Sequence, residues 1–88
     1  MVPGGVKEQT AQVLKNLRAI VEAGDCHIEN VVKTTVLLSD MKDYGDVNVV
    51  YSETFGEGKP ARAAFAVKGL PANALVEIDA VVAVGGKP

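Results

Sequence analysis

Cysteine and histidine occur once each in this chain, side by side as Cys26 and His27. No internal disulfide can therefore form, and no Cys/His cluster has metal-ligand spacing. One unpaired thiol fits a reducing compartment better than an oxidising one. Arginine is almost as scarce, with only Arg18 and Arg62, and there is no basic run in a chain of net charge −2. A dedicated nucleic-acid binder carries a Lys/Arg stripe, so this balance argues against one. No apolar run approaches the roughly 18 residues of a membrane span, and no charged leader precedes an apolar stretch. A cytoplasmic location is the default expectation, with an organelle open because a cleaved transit peptide leaves no trace.

What is present reads as an ordinary globular domain: 88 residues, 48% hydrophobic and 23% charged. That length leaves room for one core, so residues 1–88 are expected to form a single domain. A domain this short hides only about 60–65% of its unfolded surface and is marginal without a staple or partner subunits. With disulfides excluded, oligomerisation is the remaining route to extra burial.

Three kinds of local pattern run along the chain. "MVPGG" reads as a turn. Residues 6–24 predict a helix, with Val13, Leu17, Ile20 and Val21 at helical spacing, Val6 and Leu14 extending the stripe, and Gly24 as the stop. The β-branched run Val31 to Leu38 predicts a strand. A second helix follows, capped by Asp40 or Asp43, lined by Tyr44, Val47, Val50, Tyr51 and Phe55, and ended by Gly56 and Gly58. "ARAAFAV" and "ALVEIDAVVAV" predict two more strands. Their short "KGLPAN" connection favours an antiparallel hairpin.

Alternation along those strands sorts their side chains. Arg62, Ala64 and Ala66 share one face and Ala63, Phe65 and Val67 the other; Glu77 and Asp79 oppose Val76, Ile78 and Ala80. In a hairpin that matches apolar with apolar, Phe65 and Ile78 meet the helices. Arg62, Glu77 and Asp79 then share the far face with Leu37, Leu75 and Val81. That mixed face suggests burial against another subunit. On this reading Arg62 is either a solvated strand residue, a salt-bridge partner of Glu77 or Asp79, or an anion-binding group.

The combined stretches "NVVKTTVLLSDMKDYGDVNVVYSETF", "KPARAAFAV" and "VEIDAVVAV", with "VPGGVKEQTAQVLKNLRAIVEAG" before them, resemble the Rid (YjgF) family, also called endoribonuclease L-PSP. The resemblance spans essentially all 88 residues. It begins after the family's usual first two strands, whose G-P-Y-S-type and S-G-Q-I-type segments have no counterpart here. It implies an α+β, chorismate-mutase-like domain of order α-β-α-β-β, with an antiparallel or mixed sheet and both helices on one face. It further implies a homotrimer with a cleft at each subunit boundary, and hydrolysis of reactive 2-imino or 2-enamino acids to 2-keto acids and ammonia without a cofactor. The family's carboxylate-binding arginine falls on Arg62. Its water-orienting glutamate falls on Glu77, and the residue giving backbone contacts near the reacting carbon falls on Ala64.

Those residue types suit that chemistry. A guanidinium forks onto a carboxylate with two parallel N–H···O bonds, and a pinned substrate holds its electrophilic carbon in one place. A glutamate can then align water or take its proton. An iminium carbon is electrophilic enough to need no metal. Two other readings remain: a non-catalytic module that binds small carboxylates, and a ribonuclease or translation inhibitor, against which the acidic balance weighs. Cys26 reads as a small hydrophobe after the first helix, His27 as a loop residue and Asp79 as structural. "GEGK" has the wrong spacing for a phosphate loop, although Lys59 is placed to edge a cleft.

Overall fold

A computed structural model describes residues 5–56 and 60–84. The expected N-terminal turn at residues 1–4, and Gly58 and Lys59 of "GEGK", lie outside the described residues. Helix α1 spans Val6–Ala23, strand β1 Val31–Leu38, helix α2 Tyr44–Phe55, strand β2 Ala61–Ala66 and strand β3 Val76–Val82. The fold is α+β, two helices on a three-stranded mixed sheet, in the expected order α-β-α-β-β.

Local chemistry explains the boundaries. At the start of α1, Gly5 N–H donates to Glu8 Oε1 at 2.9 Å, satisfying a donor that the helix leaves open. At its end the left-handed residue is Asp25 (φ 60°), one position after the glycine expected to stop the helix. This turn lets Cys26 N–H return to Val21 O at 3.0 Å, closing an otherwise orphaned carbonyl. Before α2, Asp40 accepts from Lys42 N–H at 2.9 Å and caps a short 3₁₀ turn; Asp43 makes no side-chain cap. Gly56 (φ 75°) ends α2 in a conformation open to glycine.

The sheet departs from the expected hairpin. Strand order is β2-β1-β3, with β1 parallel to β2 and antiparallel to β3. The segment between β2 and β3 therefore passes from one edge of the sheet to the other instead of turning back on itself. Short 3₁₀ geometry at Pro71–Asn73 and left-handed Ala72 and Asn73 carry that passage. A short connection suggested a hairpin, but β1 competes for both strands and its β-branched run wins both edges. The ends of β1 are fastened on each side: Leu38 O accepts from Val67 N–H at 2.8 Å, Ser39 N–H donates to Leu75 O at 3.1 Å, and Ala83 N–H donates to Asn30 O at 2.9 Å.

Pairing through β1 also reverses the expected faces of β2. Thr34 lies beside Arg62 and Ala80, and Val36 beside Ala64 and Ile78. Neighbours in register point the same way. The helix-facing side thus carries Arg62, Ala64, Val36, Leu38, Val76 and Ile78. Leu37 lies between Phe65 and Glu77, and Thr35 between Ala63 and Asp79, on the outer face. Phe65 is consequently 55% exposed, while Ala64 packs against the core. The physical reason is space: the rings of Tyr51 and Phe55 on α2 supply the bulk over this side, so alanine fits beneath them.

The core joins Val6 and Leu14 of α1, Val36 and Leu38 of β1, Val47 and Tyr51 of α2, and Val76 and Ile78 of β3. Ile20, assigned to the apolar stripe of α1, is 71% exposed although the adjacent Val21 is buried, so it falls outside the buried side of the helix. Two buried polar ties lock the layers. Gln9 Oε1 accepts from Leu75 N–H at 2.9 Å, and Thr34 Oγ1 lies 2.6 Å from Tyr51 Oη. Tyr51→Phe leaves the buried Thr34 hydroxyl without its partner, and urea unfolding should show a loss of about 1–3 kcal/mol. Thr34→Val added to it should cost little more, since the stranded hydroxyl is then gone.

Candidate functional site

Arg62 lies near the start of an edge strand and faces α2. Tyr44, Asn48, Tyr51 and Phe55 recur on α2 at steps of four, three and four residues, which stacks them along one side of a helix. Three of them meet the guanidinium. Arg62 Nη1 donates to Asn48 Oδ1 at 2.6 Å, and Nη2 donates to Tyr44 Oη at 2.9 Å. Its Cζ lies 4.6 Å from the Tyr51 ring centroid and 5.5 Å from that of Tyr44. The Tyr51 ring is itself set by its hydroxyl bond to Thr34 and by Phe55, whose centroid is 4.7 Å away.

The electrostatic character follows from the partners. Asn48, Tyr44 and the π-face of Tyr51 are neutral, and among the described residues Arg62 has no acidic partner. The salt bridge to Glu77 or Asp79 considered from sequence is not formed. An exposed guanidinium is thus held by two acceptors and a ring while its charge stays uncompensated. With five N–H donors and two of them used, a fork remains for an anion.

Glu77 stands elsewhere. It is half-buried on the outer face of β3, paired across β1 with Leu37, and forms no hydrogen bond or ion pair among the described residues. Asp79 shares that face opposite Thr35 and is exposed. The expected common face for Arg62 and Glu77 is therefore overturned: they occupy opposite faces of opposite edge strands, with β1 between them. Ala64 lies two residues from Arg62 on the same face, half-buried against the core.

Asn48 was missed by sequence reasoning, and Tyr44 and Tyr51 were assigned only to the core. A signal existed: Asn48 interrupts an apolar helical stripe four residues after Tyr44 and three before Tyr51, and a polar group there needs a partner. Cys26 sits half-buried after α1, its Sγ 3.6 Å from Gly24 O. Among the described residues no group of three or more His, Cys, Asp or Glu could hold a metal ion, and no helix is long and apolar enough to cross a membrane.

The chain belongs to the Endoribonuclease L-PSP family, whose model matches residues 1–84. It is 52% identical over 85 residues to 2-iminobutanoate/2-iminopropanoate deaminase of Mus musculus, covering 97% of this chain and 63% of that protein. A RutC family protein of Pyrococcus horikoshii is 49% identical over 81 residues, covering 92% of this chain and 64% of its own length. The chain thus spans less than two thirds of these curated relatives. The crystal structure of the YjgF gene product from E. coli matches with a TM-score of 0.87 and 39% identity, over 93% of this chain and 67% of that one. E. coli TdcF, crystallised with bound serine, matches with a TM-score of 0.88 and 32% identity, over 93% of this chain and 67% of the other.

If the Arg62 cluster exists for a ligand rather than for stability, its removal should barely weaken the fold. Exposed hydrogen bonds and cation–π contacts contribute little, so Arg62→Ala should lower the unfolding free energy by less than about 1 kcal/mol. A markedly larger loss in chemical denaturation would assign Arg62 to the structure instead.

Proposed function

We propose that this chain acts in the hydrolytic deamination of small 2-imino and 2-enamino acids, giving 2-keto acids and ammonia. The observation that carries the reading is the uncompensated guanidinium of Arg62, fixed by Asn48, Tyr44 and Tyr51 and open on its remaining side. Such a fork suits a carboxylate bidentately. The name of the mouse relative and the serine bound to TdcF both concern small carboxylate-bearing molecules, which supports the same ligand class.

In this mechanism Arg62 holds the substrate carboxylate, and the backbone beside Ala64 borders the C2 carbon. Glu77 takes a proton from water as the oxygen bonds to C2, and the C=N π electrons move to nitrogen. With the imine nitrogen protonated at the outset, the resulting carbinolamine is neutral. Glu77 passes its proton to the nitrogen, and the C–N bond breaks as ammonia leaves. The hydroxyl oxygen's lone pair closes the ketone, and the hydroxyl proton returns to Glu77. Pinning the carboxylate contributes by proximity, the glutamate by proton transfer.

Because Arg62 and Glu77 lie on opposite faces, both serve one substrate only if they come from different copies of the chain. The outer face offers the contact surface: Phe65, beside Leu37, and Val81, beside Lys33, are 55% and 57% exposed there. A head-to-tail ring, with a homotrimer as the proposed form, would set each Arg62 against a neighbour's Glu77. A second reading follows from the same separation. A chain that stays monomeric has the carboxylate fork without the glutamate, and is a binding module.

Freshly generated 2-iminobutanoate distinguishes these. Arg62→Ala should abolish keto-acid release above the spontaneous rate, and Glu77→Gln should lower turnover while carboxylate binding persists. Subunits of the two variants, refolded together, should regain about a quarter of wild-type activity if sites are shared between copies. Full turnover by Arg62→Ala, or a monomeric native mass in an active sample, would defeat the shared-site scheme.

A further inference from the structure

Tyr44 holds Arg62 in a different way from Asn48. A guanidinium has donors and no acceptor, so in the 2.9 Å bond from Arg62 Nη2 the Tyr44 oxygen must accept. Its own proton is then left for another acceptor, and among the described residues Tyr44 Oη has no other hydrogen bond. Asn48 meets Nη1 through Oδ1, an atom with no proton to give. The other phenol of the cluster is occupied, since Tyr51 Oη lies 2.6 Å from Thr34 Oγ1 inside the core. Tyr44 is also held in place: it is half-buried, packs against the hydrophobic core, and opens the first turn of α2.

We infer that Tyr44 is a substrate-positioning residue, its hydroxyl donating to the carboxylate that Arg62 binds. This rests on the imine-hydrolysis reading for its substrate, but on geometry for its site. An anion that takes the open side of the fork reaches Nη2, and the phenol oxygen is already bonded to Nη2. The carboxylate then receives N–H bonds from the guanidinium and an O–H bond from Tyr44, a charge-assisted set with a defined orientation. Phenylalanine at position 44 keeps the ring and removes only the proton donor and the acceptor for Nη2.

The test uses sodium 2-oxobutanoate, a stable carboxylate with the product's skeleton, titrated calorimetrically into the full chain. Tyr44→Phe should weaken its binding about tenfold, the loss of one hydrogen bond to a charged group. In turnover of 2-iminobutanoate the same variant should raise KM by a similar factor, with the loss falling in KM rather than kcat, and its unfolding midpoint should match wild type. A purely structural tyrosine would move the midpoint and would not divide KM from kcat. If Tyr44→Phe binds 2-oxobutanoate as tightly as wild type, or if wild type does not bind it, the role of Tyr44 is overturned. If wild type releases keto acid from 2-iminobutanoate no faster than the spontaneous rate while Tyr44→Phe still weakens 2-oxobutanoate binding, the deaminase reading falls and the carboxylate site stands.

Discussion

Strand β1 is hydrogen-bonded along both edges, and the alternation of its side chains decides which residues of β2 and β3 meet the helices. With Thr34, Val36 and Leu38 facing inward, register obliges Arg62 and Ala64 to face inward too. A shift of one residue would send Phe65 beneath α2 and Arg62 to the outer face, breaking every contact that the guanidinium makes. The buried Thr34–Tyr51 hydrogen bond reinforces this arrangement, because it ties the inward side of β1 to the same helix that meets Arg62. Burial in the sheet thus fixes where the positive charge stands.

The two residues of the proposed site are placed by the same rule with opposite results. Arg62 has even parity with Val36 through β2, and Glu77 pairs with Leu37 through β3. One looks toward a helix lined with aromatic rings, the other toward a surface of Phe65, Leu37 and Val81. In the proposed scheme each supplies half of a site. The neutral surroundings of Arg62 preserve its pull on an anion, which a neighbouring carboxylate in the same chain would have cancelled.

Much of this was legible in the chain of residues, and the illegible part has a definite character. The β-branched run 31–38 defined β1, the apolar stripe 44–55 defined α2, and alternation correctly grouped Arg62 with Ala64 and Glu77 with Asp79. These depend on neighbours in sequence. Which strand lies in the middle depends on competition between distant segments, and a short connection between 67 and 75 pointed to the wrong answer. Size misled as well: Phe65 looked like the buried residue of its strand, but α2 brings its own rings and leaves room only for alanine. Asn48 escaped notice because its partner lies 14 residues away on another element. The resemblance to the family supplied Arg62 and Glu77 as a pair, and geometry has since moved them apart within one chain.

The three contacts around Arg62 have a thermodynamic consequence for whatever docks there. A free arginine carries about 2 kcal/mol of rotamer entropy, which a ligand would ordinarily have to extinguish on arrival. Here Asn48, Tyr44 and Tyr51 remove much of that freedom when the chain folds. The fork is preorganised, so little of the free energy of binding an anion there is spent on ordering it.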